Sequence, residues 1–157
     1  MKKSLFLCLL FLCVWGTAWA DISKTWTDGA SFSPWRPYGS LPSGMACAVS
    51  RAYSLYEVEY VVSVASAGNV VVGLQYSGGS HGLRTLGVDL IGSDGAVSYK
   101  SYNEVNVGSR YQSTPYNYTL SSVAEGTYIL RIIVCHESKD NNLANTRGNI
   151  TVTGADE

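Results

Sequence analysis

The chain of 157 residues carries 11 Lys and Arg against 12 Asp and Glu, a formal charge of −1 at pH 7, and 46% of its residues are hydrophobic against 15% charged. So even a balance lacks the clustered Lys and Arg on which binding to nucleic acid or anionic membranes depends, so neither is expected as a partner.

The chain opens MKKSLFLCLLFLCVWGTAWAD, with Lys2 and Lys3, an apolar run from Leu5 to Val14, and then Ala18-Trp19-Ala20. That is the order of a secretory leader of bacterial type, cut after its small-x-small site. Residues 1–20 are therefore expected to be removed, and the mature chain to begin at Asp21 outside the cytoplasm, in the periplasm or at the cell surface. The apolar run is shorter than the roughly 20 residues that span a bilayer. No later segment is apolar enough to span either. Cys8 and Cys13 each follow a bulky Leu, where lipid attachment wants a small residue. Residues 21–157 suit one domain.

Residues 21–56 are expected to form extended segments and loops, because Trp26, Phe32, Trp35 and Tyr38 sit among Ser, Gly and Pro. Alternating small and apolar residues suggest a further strand around Met45 to Ala52. From residue 57 the pattern has the period of two that marks half-buried strands. Val58, Tyr60, Val62 and Val64 alternate with Glu57, Glu59, Val61 and Ser63. After SAGN, residues Val70, Val72, Leu74 and Tyr76 share a face. Leu86, Val88 and Leu90 follow, and GSDG turns the chain into Val97 to Ser101. Tyr116, Tyr118 and Leu120 form the next strand; SVAEG leads to Tyr128, Leu130, Ile132 and Val134; Ile150 and Val152 close the series over 149–153. No sustained 3.6-residue apolar period appears. The expected fold is a single all-β antiparallel β-sandwich with little or no helix, its core strands over 57–153, in either jelly-roll or immunoglobulin-like order.

Antiparallel strands send successive connections to opposite ends of the domain. SAGN, GSDG and SVAEG, all short and Gly-containing, then gather at one end, and the longer polar segments 77–84, 103–115 and 136–147 at the other. The long-loop end collects His81, Arg84, Asn103, Glu104, Arg110, Tyr111, Gln112, His136, Asp140, Asn141, Asn142 and Arg147. Binding residues commonly sit on such loops, although length alone costs little entropy and solvated loops can look the same. A glycan there would take hydrogen bonds from Arg84, Arg110, Asn141, Asn142 and His81. It would stack on Trp35 or Tyr111, with Tyr38 a further loop aromatic; such rings equally cap core edges.

A nucleophile elbow, a phosphate-cradling loop and a metalloprotease motif are all missing. His81, His136 and Asp140 fall at one end and would need to converge to form an acid/base or metal site. The segment KDNNLAN (139–145) offers oxygen ligands of the kind calcium accepts, at a spacing foreign to EF-hands, so a structural calcium ion is the one cofactor considered. Cys47 and Cys135 either form one disulfide or remain two buried thiols. NYT at 117 and NIT at 149 fit the glycosylation pattern but read as outward strand positions.

With YSGGSHGLRTLGVDLIGSDGAV (76–97), EGTYILRIIVC (125–135) and TRGNITVT (146–153), the chain resembles the N-terminal β-sandwich accessory module of secreted bacterial sialidase-family and related surface proteins. The resemblance is best over 57–153, and it implies a glycan-associated module rather than a catalyst. A sialidase propeller needs several blades and Asp-boxes of the form S-x-D-x-G-x-x-W, whereas GSDGAVSY is shifted and lacks the Trp. The resemblance carries no binding residues with it. The sequence thus points to a secreted, non-catalytic carbohydrate-binding-like module for sialylated or mucin-type glycans, or else to a structural or adhesive module that packs against a neighbouring protein domain.

Overall fold

The computed structural model describes residues 22–26, 35–48, 53–77, 83–109, 112–113, 116–136 and 147–157. They form ten strands: β1 (Ile22–Trp26), β2 (Arg36–Pro37), β3 (Ser54–Val64), β4 (Gly68–Ser77), β5 (Leu83–Ile91), β6 (Val97–Ser109), β7 (Gln112–Ser113), β8 (Tyr116–Val123), β9 (Gly126–His136) and β10 (Arg147–Thr153). Among the described residues there is no helix, and so none that could cross a membrane.

Two antiparallel sheets face each other. The first has the order β1-β10-β4-β8 and the second β2-β3-β9-β5-β6-β7. The pairing is nested: β1 pairs with β10, β3 with β9, β4 with β8, and β5 with β6. A long hairpin rolled up in this way is a jelly roll, which settles the strand order that the sequence left open. The alternation explains the core. Val58, Val62, Val72, Leu74, Leu90, Leu130, Ile132, Ile150 and Val152 point between the sheets and are almost wholly buried. Each such side chain contributes about 1.5–3 kcal/mol by leaving water.

Tyr118 ties the sheets together at one end, donating its hydroxyl hydrogen bond to the carbonyl of Asn103 at 2.5 Å, with Thr85 O at 3.4 Å. At the other end, the hydroxyl of Tyr99 accepts from Ala124 N at 3.0 Å. The turns at this second end are short. In the tightest, Gly95 takes φ +79 and donates to Gly92 O at 3.0 Å, while Asp94 accepts from Ala96 N. The strand ends at the first end flank the segments 78–82, 110–111 and 137–146.

The structure corrects several expectations, Gln112, His136 and Arg147 also lying in strands rather than loops. Strand β6 runs on to Ser109, so Asn103 and Glu104 lie in a strand rather than a loop. Arg84 likewise belongs to β5. A register shift between Thr85 and Gly87 reverses the alternation, so Leu86 faces away from Val88 and Leu90 and joins a separate cluster. Residues 45–48 are not a strand; 49–52 lie outside the described residues, as do residues 1–20, expected to form a leader.

The edge of β3 is closed at both ends. Arg36 and Pro37 pair with Glu57 and Tyr56, and Asp156 exchanges two backbone hydrogen bonds with Ser63. Gly154 directs the tail there with φ +86, where a Cβ would lie 2.3 Å from Asn69 O.

Candidate functional site

Strand β9 contains the unbroken apolar run Ile132-Ile133-Val134-Cys135, all fully buried. Alternation alone cannot bury such a run; something must cover the outer face of the second sheet as well. Residues 38–48 do so, as a strap. The strap leaves β2 with a hydrogen bond from Tyr38 N to Leu55 O at 2.9 Å. It turns at 42–45, with Gly44 at φ +88 and Met45 N donating to Pro42 O. It then lays Met45 on Leu86, Ile133 and Cys135, with Tyr38, Leu41, Cys47, Leu55 and Tyr102 around them.

Three anchors hold it. Cys47 and Cys135 are disulfide-bonded. Ala48 N donates to Glu104 Oε2 at 2.7 Å, and the other oxygen of Glu104 accepts from Arg84 Nη1 at 3.1 Å. The Arg131 guanidinium carbon stands 5.5 Å from the centroid of the Tyr38 ring.

Between the start of the strap and the start of β3 lies a cleft of about 730 Å³, lined by Pro37 to Leu41 and Tyr53 to Tyr56. Ser54 pairs with His136, so the cleft opens at the end where the long segments attach. Tyr38 is half-buried and Tyr53 is 38% exposed. Ser40 and Ser54 add hydroxyls beside these rings. Burial pushes the Tyr56 hydroxyl above its ordinary pKa. Two rings and a few hydroxyls give the cleft both apolar and polar contacts.

Trp35, expected as a stacking platform, is instead 7% exposed and part of the main core. A ring this enclosed offers no face to a ligand. Arg84 is held in the ion pair with Glu104 that anchors the strap. His136 is 5% exposed on β9. His81, Arg110, Tyr111, Asp140, Asn141, Asn142 and the 139–145 segment lie outside the described residues, so the geometry of an acid/base or calcium site built on them is not described. Among the described residues no group of three His, Cys, Asp or Glu is arranged to hold a metal. Tyr53 was not among the expected residues. Its one signal is its place as an aromatic just ahead of the first clear strand.

No protein-family model matches the chain, and no curated protein matches it. Solved structures do. They include the enzymatically active domain of bacteriophage CBA120 tailspike protein 4, at 11% identity and a TM-score of 0.38, covering 88% of this chain and 19% of that one. A beta-galacturonidase from Eisenbergiella tayi bound to galacturonate matches at 22% identity and 0.31, covering 65% and 17%. A carbohydrate-binding module of the β-sandwich superfamily matches at 9% identity and 0.38, covering 90% and 58%. The chain thus spans less than two thirds of each of these proteins, and less than a fifth of the first two. At these identities and scores none of them assigns an activity to this chain.

Proposed function

We propose that the protein is a secreted, non-catalytic carbohydrate-binding module that takes a glycan in the cleft between Tyr38 and Tyr53. The observation that carries this reading is the cleft itself: two tyrosines and two serines at the long-loop end, on a wall fixed by a disulfide and two polar anchors. A preformed surface of this kind lets several weak contacts add up without an ordering cost. The resemblance of residues 57–153 to sialidase-associated modules supports sialylated and mucin-type glycans as the first ligands to try. The leader-like opening supports export.

The test is a glycan array probed with the purified protein and with Tyr53→Ala. Loss of at least about tenfold in affinity in the folded variant, equivalent to 1.4 kcal/mol, is the expected result. Binding that survives Tyr53→Ala, or no binding to any glycan, would remove the cleft as a sugar site.

A second reading, a structural or adhesive module, is favoured by apolar side chains on the outer face of the second sheet: Val61 is 61% exposed, Val97 42% and Ile129 38%.

A further inference from the structure

A second recess, of about 270 Å³, shares no residue with the cleft at Tyr38 and Tyr53. It lies between the turn of the strap, at Pro42 and Ser43, and the start of β6, at Val97, Ser98, Lys100 and Tyr102. The pairing of β5 with β6 shows how the sequence builds it. Leu90 is opposite Tyr99 but Ile91 is opposite Val97, so Ser98 is one extra residue, let into β6 as a bulge. Regular alternation would put Val97 on the core side with Tyr99. The bulge turns it out to the face of Lys100 and Tyr102, where it is 42% exposed.

Lys100 ends a row of alternating charge. Glu59 stands opposite Arg131, Arg131 opposite Asp89, and Asp89 opposite Lys100. The carboxylate of Asp89 is taken up by Arg131 and Tyr102, and that of Glu59 by Arg36. Lys24, Arg36, Arg84 and Arg131 each have a carboxylate partner; exposed Lys100 has none among the described residues. Its ammonium stands 5.3 Å from the centroid of the Tyr102 ring. A ring face holds a cation in place without neutralising it.

We propose that this recess binds the carboxylate of an acidic sugar, a uronic or sialic acid residue, at a site separate from the cleft. An anion there supplies the counter-charge that the row lacks at Lys100, and a hydrogen bond to a charged group is roughly twice as strong as a neutral one. Ser43 and Ser98 line the same recess. Their hydroxyls both donate and accept, as the hydroxyls of a sugar require. Pro42 and Val97 offer apolar surface to the C–H side of the ring. The volume falls just short of the roughly 300 Å³ at which ordinary small-molecule sites begin, which suits one monosaccharide and exceeds the need of a bare anion. One charge and two hydroxyls give a dissociation constant on the order of 1 mM, and salt weakens it. The inference does not rest on the cleft, since the two sites share no residue and either can fail alone.

Titration of the isotope-labelled protein with sodium glucuronate, and in parallel with sodium N-acetylneuraminate, followed by NMR at low salt up to about 20 mM, tests this. With at least one of the two acids, the amide signals of Ser43, Ser98, Lys100 and Tyr102 are expected to move together and saturate. Tyr53→Ala should leave those shifts unchanged. The methyl ester of the same acid keeps the ring and loses the charge, and should bind at least about tenfold more weakly. Lys100→Gln should weaken binding by a similar factor and Lys100→Arg should retain most of it, both with unchanged melting because the side chain is exposed. Sodium acetate and sodium sulfate, at matched ionic strength, should bind more weakly than the sugar acid. No saturable shift at the recess with either acid, an ester that binds as well as its acid, indifference to Lys100→Gln, or acetate or sulfate equal to the sugar acid overturns the proposal.

Discussion

The guanidinium of Arg131 grips both carboxylate oxygens of Asp89, Nε to Oδ1 at 3.1 Å and Nη2 to Oδ2 at 2.8 Å, on a face of the second sheet where the Asp89 side chain is wholly buried. Tyr102 donates its hydroxyl to the same Oδ2 at 2.8 Å. Burial opposes the charge on Arg131, but the hydrogen bonds and charge of Asp89 outweigh it and raise the guanidinium pKa. Tyr102 is raised too, by burial first and then by the carboxylate it serves. Removing one partner leaves the other buried and uncompensated. Asp89→Ala is therefore expected to cost about 3–5 kcal/mol, whereas Asp89→Leu with Arg131→Met should cost far less, because apolar replacements of buried pairs are often neutral. Urea midpoints of the two variants check this.

The disulfide joins residues 88 apart and holds the strap over Leu86 and Ile133. Cys47→Ser with Cys135→Ser should lower stability by about 2–4 kcal/mol. Proteolysis within 38–48 should appear in the reduced protein before the sandwich melts, and glycan binding should fall with it, since Pro37 to Leu41 form one wall of the cleft. Melts and digestion time courses with and without reductant give both readings. A strap that resists digestion after reduction would mean that the apolar contacts alone hold it.

Tyr60 makes the fold sensitive to alkali. Burial, and then the negative charge of Glu157, push its hydroxyl up to about 12. The folded chain holds this proton more tightly than the unfolded chain, whose tyrosines titrate at about 10. The stability this gives is whole below pH about 10 and is lost as pH rises through about 12. Tyr56, Tyr102, Tyr118 and Tyr128 are raised in the same direction. Among the described residues the Tyr60 hydroxyl has no hydrogen-bond partner. Tyr60→Phe should therefore be close to neutral at pH 7 and should flatten the alkaline loss, as denaturant melts across that range would show.

The proposed export, with cleavage after Ala20, predicts a mature protein that begins at Asp21. Intact-mass spectrometry of protein recovered from outside the cytoplasm reads this directly. A mass that retains residues 1–20 would make the leader an anchor.

What the sequence disclosed follows its physics. Val58 to Val64, Val70 to Leu74 and Tyr128 to Val134 were legible because a strand between core and water repeats every two residues. The sorting of short turns to one end was legible too, because antiparallel pairing dictates it. The strap was not, since Tyr38, Leu41, Met45 and Cys47 are held by contacts far off in the chain and follow no local period. Its one trace was the unbroken run Ile132 to Cys135, a mark of a strand buried on both sides, which simple alternation hid. Trp35 was misplaced for the same reason: neighbouring Ser and Pro resemble a loop, while its burial is decided by residues far away in sequence.

The nested pairing also governs how the molecule comes into being. Among the described residues, β5 and β6 alone of the long strands pair with an immediate neighbour in the chain, and β1, at the margin of its sheet, pairs with β10. Assembly can start at the turn of residues 92–96 and spread outward, and the first sheet stays incomplete until the last strand arrives. Every step after the first closes a longer loop, which places folding in the milliseconds-to-seconds regime of non-local β proteins. A chain that folds in this way exposes the unpaired edges of β4 and β10 until its last strand docks.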